Sequence, residues 1–155
     1  MKIPKFVTAL ASAAVLCIHS SAAFAAPETA TPLTYEMMAK SVYKEDAPTV
    51  FPEELKKLEG KRVKVSGFPV PYDDPEKMSK FLMLKAVVGC FYCNPPGEDG
   101  ILFVRLSTKE KPPEMDGEKL TVEGTLHLKK AESKDEEAKQ FLFTIDDAKI
   151  IPAHH

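Results

Sequence analysis

The sequence predicts a mainly β protein, a small Greek-key barrel of the OB type with about five strands and one or two short N-terminal helices. Apolar residues recur at every second position from Lys61 onward, as in strands with one buried face. The first of these strands contains Gly67, Pro69 and Pro71, which indicate a sharp bend. Helix signals are confined to the residues before position 61. An open, curved antiparallel sheet is the alternative architecture.

The N-terminus has the pattern of an export signal. Lys2 and Lys5 precede a short apolar run over 6–18, and residues 23–25 (Ala-Phe-Ala) form a small-residue cleavage site. The apolar run is shorter than the roughly 20 residues that cross a membrane. We therefore expect cleavage near Ala25, which makes residues 1–25 a signal peptide. The mature protein would be periplasmic or secreted, without stable membrane insertion.

The mature chain has a composition that suits one modest domain. Removing 25 of the 155 residues leaves 130, with 19 basic and 23 acidic residues and a net charge of −4. An acidic domain without a basic face is a poor partner for nucleic acid or anionic lipid. We divide it into a lead with short helices (26–60), the barrel (61–152) and a tail (153–155).

Two short helices are expected before the barrel. In segment 33–44, Thr34 is in position to cap a helix, and Glu36 would lie in its first turn. In segment 47–61, Pro52 suits the first helical position and Gly60 suits the end. The apolar residues that would share a buried face are Leu33, Met37 and Val42 in the first segment, and Phe51, Leu55 and Leu58 in the second.

The first barrel strand is expected over 61–71, with Val63 and Val65 inward and Arg62 and Lys64 outward. Gly67 is expected to break or bend it. The prolines that follow limit ladder pairing, so this end of the strand should lie at an edge or rim.

Four more strands follow. Segments 80–88 and 101–106 are apolar on both faces, which is typical of central strands. Segment 119–130 alternates, with His127 among the outward residues, and segment 141–151 is the final strand. The connection 107–118 contains two prolines and an Asp-Gly pair, so the helix usual at this place in the fold is not expected. The charged residues before the last strand indicate a hairpin tip or a brief helical turn.

The stretch GCFYCNPPG, residues 89–97, holds Cys90 and Cys93, the only cysteines left once Cys17 is removed with the signal. Covalent haem attachment is excluded because Asn94 stands where a histidine is required. A thioredoxin-like redox pair needs a helix starting at the cysteines, and two prolines and a glycine disfavour one. Outside the reducing cytoplasm, a structural disulfide or a bound metal ion is also open.

A disulfide across so short a loop would stabilise the fold by about 2 kcal/mol or less and would mainly shape the loop. Two thiolates at this spacing can bind zinc or copper, but a closed zinc site needs four ligands. The possible extra ligands are His127, His154 and His155. An outward histidine is more often simply solvated, and the terminal pair lies on a free tail. We favour the metal site, while the disulfide and the redox pair stay open.

Several short motifs in residues 60–150 resemble those of a family of small exported bacterial proteins of unknown function. These motifs are GKRVKVSGFPVP, KFLML, GCFYCNPPG, ILFVRL and LTVEGTLHL. The resemblance implies an OB-like fold and a gene often found near ABC-type transporters for metals or macrolides. It places the family's cysteine and proline positions on Cys90, Cys93, Pro95 and Pro96. Members often carry a longer proline run or a histidine near the first cysteine, and this chain has neither.

These observations favour a non-catalytic periplasmic binding or accessory protein over an enzyme. Its Cys-x-x-Cys loop would bind a metal ion or dock an ABC-type transporter component or another periplasmic protein. The alternative is a thiol-disulfide redox protein that uses the same cysteines. The loop residues expected to make contacts are Phe91, Tyr92, Asn94, Pro95 and Pro96.

Two further sets of residues are candidates for a binding site. The aromatics Phe68, Tyr72, Phe91 and Tyr92 would stack a ligand if they were exposed, but packing at the barrel rim is favoured. The acidic residues Asp73, Asp74, Asp146 and Asp147 are expected to be solvated turn formers.

Overall fold

In a computed structural model of the chain, the described residues are 29–44, 47–72, 74, 78–87, 96–129 and 134–152. They form eight strands and two short helices. The strands are β1 (Thr31–Pro32), β2 (Val42–Lys44), β3 (Ala47–Val50), β4 (Arg62–Pro71), β5 (Lys80–Leu84), β6 (Ile101–Leu106), β7 (Leu120–Leu128) and β8 (Phe143–Ile151). The helices are α1 (Tyr35–Met38) and α2 (Glu53–Lys56), and two 3-10 turns cover Glu98–Gly100 and Ala138–Gln140.

Five strands close into a barrel in the order β4-β5-β6-β8-β7, and β7 returns to β4. All pairings around this ring are antiparallel except that of β6 with β8, which is parallel. This is the strand order of the OB fold, so the predicted fold class is confirmed. The open-sheet alternative is wrong, because β7 and β4 pair over Arg62–Gly67 and leave no open edge there.

Closure depends on β4, which changes partner in the middle. Its first half pairs with β7 as far as Gly67 opposite Leu120, and its second half pairs with β5 from Phe68 opposite Leu84. Gly67 therefore does not end the strand; it marks the bend predicted for a glycine at this place. The second half pairs with β5 alone among the described residues, which fits two prolines that cannot donate to a ladder.

The core fills the barrel and continues under the N-terminal helices. Val63 and Val65 face inward as predicted, and Leu55 of α2 packs in the same cluster as Phe81 and Ile145. Phe51 and Leu58 flank α2 and are also buried, so this helix caps the barrel as its pattern indicated. Burial of one continuous set of apolar side chains from 33 to 148 ties the N-terminal segment to the barrel.

The first helix is shorter than predicted. Thr34 caps α1, since its hydroxyl accepts from the Met37 amide at 3.2 Å, but the helix ends at Met38. The residues after it form β2, which pairs with β3 as a separate hairpin. Val42 is therefore 51% exposed instead of sharing the buried face of a helix. A β-branched pair, Val42 opposite Val50, favours this hairpin over a longer helix.

The remaining strands follow the predicted order with small shifts of their ends. β6 has the expected bounds, whereas β5 ends at Leu84 and Lys85, Ala86 and Val87 beyond it are exposed. β8 begins two residues later than expected, after the turn at Ala138–Gln140. Pro52 lies one residue before α2 instead of inside it.

Among the residues that the structure describes, none belongs to a helix long and apolar enough to span a bilayer.

Candidate functional site

The two cysteines belong to the segment that connects β5 to β6, residues 85–100, which we call the cysteine segment. β5 and β6 pair from Lys80 opposite Arg105 to Leu84 opposite Ile101, so residues 85–100 form the connection between adjacent antiparallel strands. Cys90 and Cys93 lie in this connection but outside the described residues, as do Phe91, Tyr92, Asn94 and Pro95. The last predicted contact residue, Pro96, is described and half-buried.

The strands that carry this connection are among the most deeply buried parts of the protein. Phe81 to Leu84 of β5 are at most 5% exposed, and Leu102 to Val104 of β6 are fully buried. Buried strands that pair on both sides rarely undergo local unfolding. The two ends of the connection are therefore rigidly attached to the barrel. On the far side, the 3-10 turn Glu98–Gly100 closes with a bond from the Gly100 amide to the Gly97 carbonyl at 2.8 Å.

The near side of the connection is tied to α1. Lys85, the first residue after β5, forms an ion pair with Glu36 of α1 at 3.1 Å. The pKa of Glu36 lies below its usual value, first because of a hydrogen bond with its own backbone and then because of Lys85. The next residue back, Tyr35, is buried beside Gly67, and its hydroxyl has no hydrogen-bond partner among the described residues. Burial raises the pKa of this tyrosine well above its usual value.

A polar groove runs between this N-terminal segment and the outer face of β4. Its volume is about 480 Å³, and its charged lining consists of Lys64, Lys85, Lys119 and Glu36. Ser66 lies on its floor, where its hydroxyl forms a hydrogen bond with that of Thr121 at 2.7 Å. No local sequence pattern indicates this groove, because its lining comes from four separate segments that the barrel brings together.

His127, predicted as a possible extra metal ligand, lies on the outer face of β7. Its Nδ1 is 3.4 Å from Oε1 of Glu59, and its Nε2 is 3.7 Å from Oδ2 of Asp146. The other oxygen of Glu59 accepts from the Leu128 amide at 2.7 Å. Both ring nitrogens thus face carboxylates that have structural contacts of their own. A ligand role for His127 stays a prediction, and His154 and His155 lie outside the described residues.

The outer face of β5 and β6 is covered by the protein's own side chains. Phe103 stacks on Phe141 with ring centroids 4.8 Å apart, and Tyr72 meets both rings edge-on. Tyr72 therefore packs at the rim as predicted, although 37% of its surface stays exposed. In OB folds the faces of the second and third barrel strands commonly bind ligands. Here that face is filled.

Ion pairs also lie on the outer face of β5 and β6. Arg105 Nε donates to Oδ1 of Asp146 at 2.7 Å, and Arg105 also pairs with Asp135. Beside it, Lys80 pairs with Glu137 at 2.7 Å. The prediction that Asp146 is a solvated turn former is wrong, since it lies within β8 and holds Arg105. Asp147 also lies within β8, at φ 49° beside the register shift.

Metal coordination cannot be built from the described side chains alone. No group of three or more His, Cys, Asp and Glu residues in ranges 29–44, 47–72, 78–87, 96–129 and 134–152 is placed to hold an ion. This finding does not test a site that includes Cys90 and Cys93, since both cysteines lie outside the described residues.

The class of protein is defined by these features: a five-stranded OB-type barrel with two short helices that carries a Cys-x-x-Cys segment between its second and third strands. Residues 21–151 match the family described as "Protein of unknown function (DUF3299)", and the chain belongs to this family. The resemblance to a family of unknown function is thereby confirmed.

The fold is shared with a solved structure of the same family. A crystal structure of a DUF3299 family protein from Pseudomonas aeruginosa PAO1 matches with a TM-score of 0.55 and 20% sequence identity. The match covers 81% of this chain and 97% of that one. It supports the barrel architecture alone. No protein among curated sequences gives a significant match.

Proposed function

We propose that this protein is an exported, non-catalytic binding module in which Cys90 and Cys93 bind one zinc or copper ion at the rim of the barrel. It would serve as an accessory to an ABC-type transporter or to another periplasmic protein. The periplasmic location follows from the signal pattern of residues 1–25. The transporter association rests on the family resemblance.

One observation supports this proposal most strongly. The register of Leu84 opposite Ile101 fixes both ends of the cysteine segment on buried strands. This register brings the two ends of the connection next to each other. Two thiolates at a spacing of three suit a soft or borderline metal ion, with the remaining ligands supplied by His127, by the tail or by a partner.

A thiol-disulfide function is the second candidate. It uses the same cysteines in a compartment where thiols are commonly oxidised. The first described residues after Cys93 weigh against it, since Gly97 is extended and is followed by a single 3-10 turn. A helix dipole that would lower the pKa of an attacking thiol is absent from 96–100, the described residues on this side.

The test is elemental analysis of the mature protein purified from the periplasm, beside its Cys90→Ser variant. We expect close to one equivalent of zinc or copper in the wild type and its loss in the variant. The same small amount of metal in both proteins would contradict the metal site. His127→Ala is a second test variant, and loss of metal in it would identify that side chain as a further ligand.

Alkylation kinetics separate the two candidates. A metal site predicts cysteines that react slowly until a chelator is added. Fast reaction of one cysteine near neutral pH without chelator, with reversible disulfide formation, would instead support the redox protein.

A further inference from the structure

The groove between the N-terminal segment and β4 has an excess of positive charge. It is lined by three lysines, Lys64, Lys85 and Lys119, against one glutamate, Glu36. The whole chain carries a net charge of −2, so this local excess runs against the overall balance. A concave surface with one dominant sign of charge concentrates ligands of the opposite sign.

Two of these lysines have no carboxylate partner in the described part of the chain, and the strand pairing explains one of them. Lys64 stands directly opposite Glu123 in the ladder of β4 and β7. Glu123 instead binds Arg62, at 3.2 Å from its Nη2. The Lys64 ammonium group therefore lines the groove without an ion pair to any described carboxylate. Lys119, just before β7, likewise forms no ion pair with the described side chains.

The third lysine, Lys85, already has a partner, since it forms an ion pair with Glu36. The ion pair between them, at 3.1 Å, joins α1 to the start of the cysteine segment. Both side chains are mostly exposed, with 58% and 70% of their surface accessible, so this pair contributes little to stability and can exchange partners at low cost. An incoming anion would compete with Glu36 for Lys85.

The shape of the groove indicates an elongated ligand. Leu120 stands opposite Gly67, so Lys119 adjoins the end of the ladder between β4 and β7, and Gly67 is three residues along β4 from Lys64. At the strand rise, Lys64 and this end of the ladder are roughly 10 Å apart. Ser66 lies between them and offers a hydroxyl in the middle of the groove. The volume of about 480 Å³ suits a ligand of tripeptide size.

We propose that this groove binds an elongated anionic ligand whose negative groups lie at both ends, near Lys64 and Lys119, and whose middle contacts Ser66. Lysines bind carboxylates and phosphates alike as point charges, so the shared chemistry is that of a linear polyanion. Strand addition is disfavoured as a binding mode, because the neighbouring edge strand β1 is two residues long and includes Pro32.

Two other parts of the surface make poorer sites, which strengthens the case for this groove. The outer face of β5 and β6 is covered by Phe141 and Tyr72. The pocket beside Lys80 and Arg105 has cations that already hold carboxylates, as shown by Glu137 on the lysine and two aspartates on the arginine. In the groove beside β4, by contrast, Lys64 and Lys119 form no ion pair with any side chain that the structure describes. It requires neither cysteine and so goes beyond the proposed function.

The test is calorimetric titration of the mature chain, at low ionic strength, with triglutamate and with tripolyphosphate. We expect one or both to bind, and the difference between them reports which acid group is preferred. Lys64→Ala combined with Lys119→Ala is expected to weaken binding by about tenfold or more, since two ion contacts are lost. Triglutamine is the neutral control and is expected not to bind.

Three matched variants make the test specific. Lys109→Ala with Lys111→Ala removes the same charge from exposed sites outside the groove and is expected to change the affinity by less than about twofold. Glu36→Gln removes the internal competitor and is expected to tighten binding. Cys90→Ser with Cys93→Ser is expected to leave binding unchanged, which separates this proposal from the metal site.

Two results would overturn the proposal. One is that neither polyanion binds at millimolar concentration. The other is that the Lys64/Lys119 and Lys109/Lys111 variants weaken binding equally, which would reduce the effect to net charge. Thermal unfolding of each variant checks that the fold is intact, as expected for exposed lysines.

Discussion

At the scale of single residues, Gly67 and Tyr35 decide how closely the N-terminal segment approaches the barrel. A Cβ atom at position 67 would lie 2.5 Å from the Tyr35 hydroxyl, 2.7 Å from the Leu84 carbonyl oxygen and 2.8 Å from Cγ of Met83. Only a residue without a side chain fits there. The same glycine lies where β4 changes partner, so one residue serves both the bend and the close packing of α1.

We predict that Gly67→Ala lowers the free energy of unfolding by about 2 kcal/mol, because two of the three close neighbours are rigid core or backbone atoms. Chemical denaturation measures this change. Gly100→Ala is the matched control, since the added Cβ would meet its nearest neighbour, Pro96 Cβ, at an ordinary 3.4 Å. Equal stability of the two variants would contradict the packing described here.

Tyr35→Phe is expected to leave the stability unchanged or to raise it by up to about 1 kcal/mol, since it removes a buried hydroxyl that has no partner in the part of the chain that the structure describes. In the double variant with Gly67→Ala, it should recover part of the lost stability, because the closest clash is with that hydroxyl. A double-mutant cycle with no coupling would show that the two residues do not meet.

At the scale of elements, the alternation of apolar residues predicted the barrel strands well. Val122, Leu126 and Leu128 are buried as expected, because a period of two admits one arrangement of a half-buried strand. The hairpin of β2 and β3 was missed, since Thr34 and Glu36 are good helix signals and nothing local shows that the helix stops after one turn. Short helices depend on tertiary packing, which a local pattern does not contain.

The connection between β7 and β8 lies over the outer face of β5 and β6. Its Phe141 stacks on Phe103, and its Asp135 pairs with Arg105. We predict that Phe141→Ala costs about 2 kcal/mol of stability and exposes Phe103 and Tyr72. Binding of a hydrophobic dye to the folded variant, measured beside the wild type, reports this exposure. Unchanged dye fluorescence at unchanged stability would show that Phe141 does not cover the face.

The same connection contains an acid-sensitive ion pair, between Asp135 and Arg105. A hydrogen bond from Arg105 holds the pKa of Asp135 below its ordinary value of 3.8. A depressed pKa in the folded state stabilises the fold above pH 3.8, and this stabilisation is lost as the pH falls through the folded pKa. We therefore predict that Asp135→Asn is less stable than wild type at neutral pH, and that the difference shrinks in acid.

Urea denaturation at a series of pH values between neutrality and about pH 2 measures this difference. Glu98→Gln, which removes a carboxylate that forms no ion pair with the described residues, is the control. A difference between wild type and Asp135→Asn that does not vary with pH would contradict the role given to this aspartate.

At the scale of the whole molecule, closure of the barrel brings together residues that the sequence keeps far apart. Lys64, Lys85 and Lys119 line one groove although they come from separate segments, and no spacing along the chain reveals this. The cysteine pair differs from the groove, because a metal-binding or redox role can be predicted from four consecutive residues. The flanking strands β5 and β6 were predicted from their apolar pattern, whereas further ligands for the two cysteines stay a prediction, since they would come from segments distant in the chain.

The central claim is that Cys90 and Cys93 hold a metal ion in an exported protein, and native mass spectrometry of protein released from its own periplasm tests it directly. We predict the mass of a chain that begins at Ala26 with both thiols intact and one zinc or copper ion bound. A metal-free chain lighter by two hydrogen atoms, with the cysteines joined as a disulfide, would contradict the claim.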